Sequence, residues 1–148
     1  MTLEDDIARA LPGMRREAES LMTLTLAAYS PAGFTLDADG YKVPAFTPEG
    51  STFGKVQGGA RAGADTATRY IKIGDVERPV IEAGLHIPIS AKVPVAGEQR
   101  GLLDGAWEYE ITAVGRLDDP ALLGRRYMVV AVPAKSFATA RRLDVVQL

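Results

Sequence analysis

Short runs of alternating apolar and polar residues, separated by turn formers, limit this chain more than any other feature. A period of two belongs to strands with one buried face, because successive side chains point to opposite sides. The longest clean run is Trp107–Val114, where Trp107, Tyr109, Ile111 and Ala113 alternate with Glu108, Glu110, Thr112 and Val114. Arg125–Val132 alternates next, with Arg126, Met128, Val130 and Val132 facing one way and Tyr127, Val129 and Ala131 the other. Pro133–Ser136 breaks that run, and Ala140–Leu148 resumes it with β-branched Val145 and Val146. Ahead of these strands, Asp119 can cap a single helical turn. Pro120 suits its first position, which needs no N–H, and Gly124 ends it.

Upstream the punctuation is denser. Thr23–Ser30 sets Thr23 and Thr25 against Leu24, Leu26 and Ala28, a half-buried first strand that Pro31 should end. Residues 31–54 read as a long, turn-rich loop through Gly33, Pro44, Pro48, Gly50 and Gly54. Within it Asp39-Gly40 suits a tight hairpin turn, with Phe34–Leu36 and Tyr41–Val43 as short arms. Lys55–Gln57 is a short strand, and Gly58, Gly59 and Gly63 open a polar, small-residue loop over residues 58–68, expected to be mobile. Arg69–Ile73, Pro79–Glu82 and Gly84–Ser90 read as strands, and Pro88 points to an edge or a bulge. Val93–Gly105 reads as loop.

The first residues differ in kind. Thr2 with Asp5 makes a capping box, and Glu4–Asp6 suits the positive end of a helix dipole. Pro12 should kink the helix or divide it. Met14, Ala18, Leu21 and Met22 then form one apolar stripe, either packed on the chain's own strands or docked on a neighbour. The expected organisation is a helical arm over residues 1–22 and a strand domain over residues 23–148. The fold class is mainly β: a small antiparallel β-barrel of about six or seven strands with an N-terminal helix or kinked helix pair.

At 148 residues the chain is large enough to bury one core. The net charge of −2 gives no general grip on nucleic-acid phosphates. There are no cysteines, which excludes disulfides and thiolate metal sites. No signal peptide is legible, and no run approaches the roughly 20 apolar residues that span a bilayer.

Reactive constellations are sparse. His86 with Glu82 is at best half a metal site, since Gly84 spoils the spacing. Ser136 beside Lys135 lacks an oxyanion hole and reads as a turn hydroxyl. Gly58-Gly59 with Gly63 has no following Lys-Ser/Thr and is not a phosphate cradle. Glu108 and Glu110 read as a solvent-facing row. These residues point to no enzyme and no cofactor. Arg141, Arg142, Lys135 and Arg125–Arg126 form the clearest basic cluster. It fits a solvated face, a salt-bridged contact between subunits or rings, or a DNA contact.

Five blocks carry a resemblance: "LPGMRREAESLM" (Leu11–Met22), "KVQ" (Lys55–Gln57), "GLHIPIS" (Gly84–Ser90), "EYEITAVG" (Glu108–Gly115) and "LLGRRYMVVAVPAKSFATARRLDV" (Leu122–Val145). In order and spacing they resemble the head-to-tail connector (stopper-type) proteins of tailed phages and prophages of actinobacteria. The resemblance implies a structural virion protein in the neck, assembled in the host cytoplasm as a homo-oligomeric ring between portal or adaptor and tail. Its partners would be copies of itself, portal or adaptor proteins, tail terminator or tail tube proteins, and double-stranded DNA passing without sequence readout. No membrane is involved. Loop character, rather than the resemblance, nominates Lys135, Phe137, Arg141 and Arg142 as interface and Gly58, Gly59, Arg61 and Gly63 as a channel loop. Two alternatives remain. One is a tail terminator or minor tail subunit. The other is a single-stranded nucleic-acid module that stacks bases on Trp107, Tyr109, Tyr127, Tyr70 or Phe137.

Overall fold

The computed structural model describes residues 2–58, 69–73, 76–91, 106–132 and 138–148, with side chains left aside at 58 and 69–82. One helix, α1 (Leu3–Ser20), precedes seven strands: β1 (Leu24–Leu36), β2 (Lys42–Gly58), β3 (Arg69–Ile73), β4 (Val76–Ile87), β5 (Glu108–Ala113), β6 (Arg126–Ala131) and β7 (Arg141–Gln147). All pairings are antiparallel. The order β2-β1-β5-β6-β7-β4 closes on itself through β4 and β2, and β3 hangs on β4 alone. Six strands therefore form a closed ring sheet, as the alternation demanded. Closure pairs the strand edges that an open sheet leaves exposed.

The inward face of this ring is the core. Leu24, Leu26, Leu85, Ile87, Tyr109, Ile111, Tyr127, Val129, Leu143 and Val145 are all fully buried there. Each such aliphatic side chain contributes about 1.5–3 kcal/mol through burial. β5 is central, held by β1 on one side and β6 on the other. Ala106, Met128 and Val146 form a second, smaller buried cluster.

The long loop expected over residues 31–54 is instead a hairpin. β1 runs through Pro31 to Leu36, and β2 returns from Lys42. Its turn does fall at Asp39-Gly40: the Asp37 carboxylate accepts from the Asp39 and Tyr41 amides at 3.0 and 2.8 Å. The glycines and prolines that read as loop signals have another use here. Register shifts fall between Ala27 and Tyr29 and between Pro31 and Phe34, and Gly50 and Gly33 take φ of 97° and 85° beside them. A bulge needs such a residue, and both strands of a projecting ribbon are edges, where proline's missing N–H costs nothing.

One further expectation is corrected. Pro79–Glu82 and Gly84–Ile87 belong to one strand, β4, and Pro88 lies just past its end. Gly58, nominated for the channel loop, closes β2 opposite Ala83. Its companions Gly59, Arg61 and Gly63 lie outside the described residues, as do Val93–Gly105 and Pro133–Phe137 apart from their flanks.

α1 runs unbroken through Pro12, so the expected division into two helices does not occur. Pro12 and Ala8 are both exposed, so the carbonyl that loses its partner can turn to water. The capping box is formed: the Thr2 hydroxyl accepts from the Asp5 amide, and the Asp5 carboxylate accepts from the Thr2 amide at 3.0 Å. The Thr2 amide and the Thr2 hydroxyl, which donates to the same carboxylate at 2.9 Å, hold the Asp5 carboxyl below its ordinary value. Their support is present above pH 3.8 and is lost as pH falls through the lowered value. Thr2→Ala should remove about 0.5–2 kcal/mol of local helix stability. Amide exchange should quicken in the first turns of α1 while the global unfolding midpoint holds.

Candidate functional site

The main chain of the ring sets two projections. Beyond Tyr29, β1 no longer pairs with β5 and continues with β2 as a two-stranded ribbon. From Ser30 to Leu36 it reaches roughly 20 Å. β4 does the same at its other end: Ile81–Ile87 pairs with β7, while Val76–Val80 pairs only with β3. Because β4 runs antiparallel to β2, the two ribbons leave the ring in opposite directions along the strands.

The β1–β2 ribbon ends in an apolar tip. Phe34, Leu36, Tyr41 and Val43 are exposed, Leu36 and Tyr41 at 71% each. Asp37 and Asp39 sit between them in the turn. Sequence reading placed a short hairpin with these arms inside a longer loop, and did not read its exposed apolar end as a surface. The signal was there in apolar residues two apart on both arms, flanking Asp-Ala-Asp-Gly.

A cleft of about 670 Å³ lies where the end of α1 faces β2, β4 and β7. Ala18, Leu21 and Met22 line one side, Lys55 and His86 the floor, and Ala138–Arg142 with Asp144 the other side. Arg15 Nε donates to the Ala138 carbonyl at 3.2 Å and ties the helix to that wall. α1 buries none of its own residues; of the apolar stripe, Met22 just past the helix is buried in the core, while Met14 and Leu21 are left exposed. Leu3, Met14 and Leu21 all remain exposed.

Charge in the cleft is mostly positive. Lys55, Arg141 and Arg142 face one carboxylate, Asp144, which meets Arg142 Nε at 3.3 Å. Arg141 Nε is buried and, among the described residues, has no hydrogen-bond acceptor. His86 Nε2 lies 3.1 Å from the Gln57 side-chain oxygen. The Glu82 side chain lies outside the described residues, so its pairing with His86 does too. Of the nominated interface residues, Arg141 and Arg142 meet in this cleft, while Lys135 and Phe137 lie outside the described residues.

Glu108 corrects the sequence reading. It is no solvent-facing carboxylate but a buried one, 2.8 Å from Arg126 Nε. The Arg126 guanidinium in turn lies over the Tyr29 ring at 4.7 Å and the Phe46 ring at 5.0 Å. Burial pushes the Glu108 carboxyl up, against the pull of Arg126. The pair locks the root of the β1–β2 ribbon to β5 and β6. Arg125, by contrast, caps the short turn at the Ala121 carbonyl and reaches the Gln147 side chain.

The aromatic set nominated for base stacking is largely inaccessible. Trp107, Tyr109 and Tyr127 are all buried. The Tyr70 side chain and Phe137 lie outside the described residues. Among the described residues no three His, Asp or Glu side chains converge as metal ligands. No described helix is long and apolar enough to cross a membrane.

The model of a family of unknown function, DUF6093, matches residues 14–146. The chain belongs to this family. That span runs from the second half of α1 into the end of β7 and includes the residues of the cleft and the ribbon. No curated protein matches the chain. A solved structure, "Virion of native gene transfer agent (GTA) particle", is similar at a TM-score of 0.39 and 13% identity, covering 84% of this chain and 92% of its own.

Proposed function

We propose that this protein is a structural subunit of a phage-type particle, placed in a stopper ring between the portal or adaptor and the tail. The observation that carries the reading is the pair of ribbons leaving the closed sheet in opposite directions. A subunit so built can reach a neighbouring copy with the β1–β2 ribbon and an adjoining ring with the β3–β4 ribbon, while the rigid sheet between them keeps the spacing. The five co-linear blocks that resemble stopper proteins point the same way. The role is mechanical: copies pack side by side, dock the tail and help retain DNA. A weak net charge of −2 suits a bore that must let the duplex slide. Its partners in this reading are further copies, portal or adaptor proteins and tail proteins, and the assembly takes place in the host cytoplasm.

Deleting the gene from the genome that encodes the particle tests this. Micrographs should show filled or leaking heads and separate tails, with infectious or transferring particles down by several orders of magnitude. Particles of normal form and titre would refute the placement.

A further inference from the structure

We infer that the tip of the β1–β2 ribbon of one copy seats in the α1–β4–β7 cleft of the next copy, and that this is the contact which joins neighbours in the ring. The inference rests on the ring reading above and names the surfaces that make it. Two observations on the same molecule fit each other. The tip offers exposed Leu36 and Tyr41 with Asp37 and Asp39 between them. The cleft offers exposed Leu21 beside half-buried Ala18, and a basic lining of Lys55, Arg141 and Arg142, of which Arg142 is already paired with Asp144. Apolar meets apolar, and acid meets base.

The polar accounts of the two surfaces also match. The Asp37 Oδ1 atom is spent inside its turn, on the Asp39 and Tyr41 amides. Asp39 has no such bond among the described residues and is exposed at the end of the ribbon. Across the contact, Arg141 keeps a buried Nε–H without an acceptor among the described residues. A buried donor left unmet is costly, and a carboxylate is its strongest acceptor. Asp39 of the incoming tip supplies one.

Geometry favours another copy over the same one. The tip is exposed in its own molecule, so it does not fill its own cleft. A tip on one surface and a cleft on another make a heterologous contact, which closes into a ring if the rotation per copy permits. Flat self-complementary faces would give a twofold dimer instead.

The chain has no cysteines, so single engineered ones report cleanly. Full-length Tyr41→Cys and Leu21→Cys proteins, mixed at high concentration and oxidised, should form the mixed disulfide at least about tenfold faster than Tyr41→Cys mixed with Leu3→Cys. Leu3 is 76% exposed and lies at the far end of α1, about 27 Å from Leu21 along the helix, so it measures random encounter. Added to the reactive pair, Asp39→Lys alone or Arg141→Glu alone should cut the rate about tenfold. Both changes together, or one on each partner, should restore it to within about twofold. A rate for Tyr41→Cys with Leu21→Cys no higher than the control overturns the tip-in-cleft contact. So does a rate indifferent to both charge changes. Ring reading and contact fail separately. If gene deletion abolishes tail joining while the cross-link stays at control level, the neck role stands and neighbours meet elsewhere. If the cross-link forms but deletion leaves particles normal, the chain self-associates outside the neck.

Discussion

Arg126→Met is expected to destabilise the protein by about 3 kcal/mol at neutral pH, the low end for breaking a buried ion pair. The low end applies because the Arg126 side chain keeps 35% of its surface exposed, while that of Glu108 keeps 8%. Three losses combine. The Glu108 carboxylate is left buried without its counter-charge, and two ring contacts, to Tyr29 and Phe46, disappear. The root of the ribbon is then no longer tied to β5 and β6.

Glu108→Gln should behave quite differently, changing stability by about 1 kcal/mol or less. Burial already raises the Glu108 carboxyl above its ordinary 4.5, and the attraction of Arg126 does not cancel that rise. The folded state thus prefers the neutral form more than the unfolded state does. Between pH 4.5 and the raised value the folded protein binds the extra proton. The stabilisation from that proton is complete below 4.5 and is lost as pH rises through the raised value. Without Arg126 the raised value climbs further. Urea unfolding should therefore show the Arg126→Met deficit shrinking on acidification from pH 7 toward 5, and a flatter pH profile for Glu108→Gln. An equal loss from both substitutions at every pH would contradict this account. The double variant should recover most of the Arg126→Met loss, since it buries no unpaired charge.

What the sequence made legible follows the range of each interaction. The strands Trp107–Val114 and Arg125–Val132 were readable because the pleat writes burial into neighbouring positions. The Asp119-Pro120 turn and the Thr2–Asp5 capping box were readable because both partners lie within three residues. Residues 31–54 were not. Proline and glycine are ambiguous between a loop and a bulged ribbon, and only pairing with a distant strand decides between them. Glu108 misled for the same reason. Its alternation with Tyr109 puts it on the outer face, which is correct. Its burial comes from Arg126, Tyr29 and Phe46 arriving from three other strands. Arg141 and Arg142 were visible as a basic pair, but the apolar residues that share their cleft lie at and just past the end of α1, more than a hundred residues earlier. The cleft is a product of ring closure, and no local pattern encodes closure.

That closure can be attacked at one atom. Gly54 lies in β2, with β1 on one side and the β2–β4 seam that completes the ring on the other. A Cβ at this position would sit 2.6 Å from Leu26 Cδ1 and 2.9 Å from the His86 carbonyl oxygen. Leu26 is fully buried and cannot swing away, and the carbonyl is backbone on β4. Gly54→Ala should therefore cost about 1–3 kcal/mol, the range for forcing an extra methyl into a packed interior. Gly84 supplies the contrast. It is also buried, one strand over, yet its added Cβ would meet only the Arg142 side chain, at 3.5 Å or more. That is ordinary contact with a flexible group. Because glycine in a strand is poorer than alanine by roughly 0.5–1 kcal/mol, Gly84→Ala should be neutral or slightly stabilising. Two identical changes in one seam are thus expected to carry opposite signs. Leu26→Ala placed on Gly54→Ala should relieve only part of the strain, because the His86 carbonyl remains in the way. Thermal unfolding of the four variants decides it. If both glycines tolerate a methyl equally, β2 and β4 do not approach as closely as the closed sheet requires.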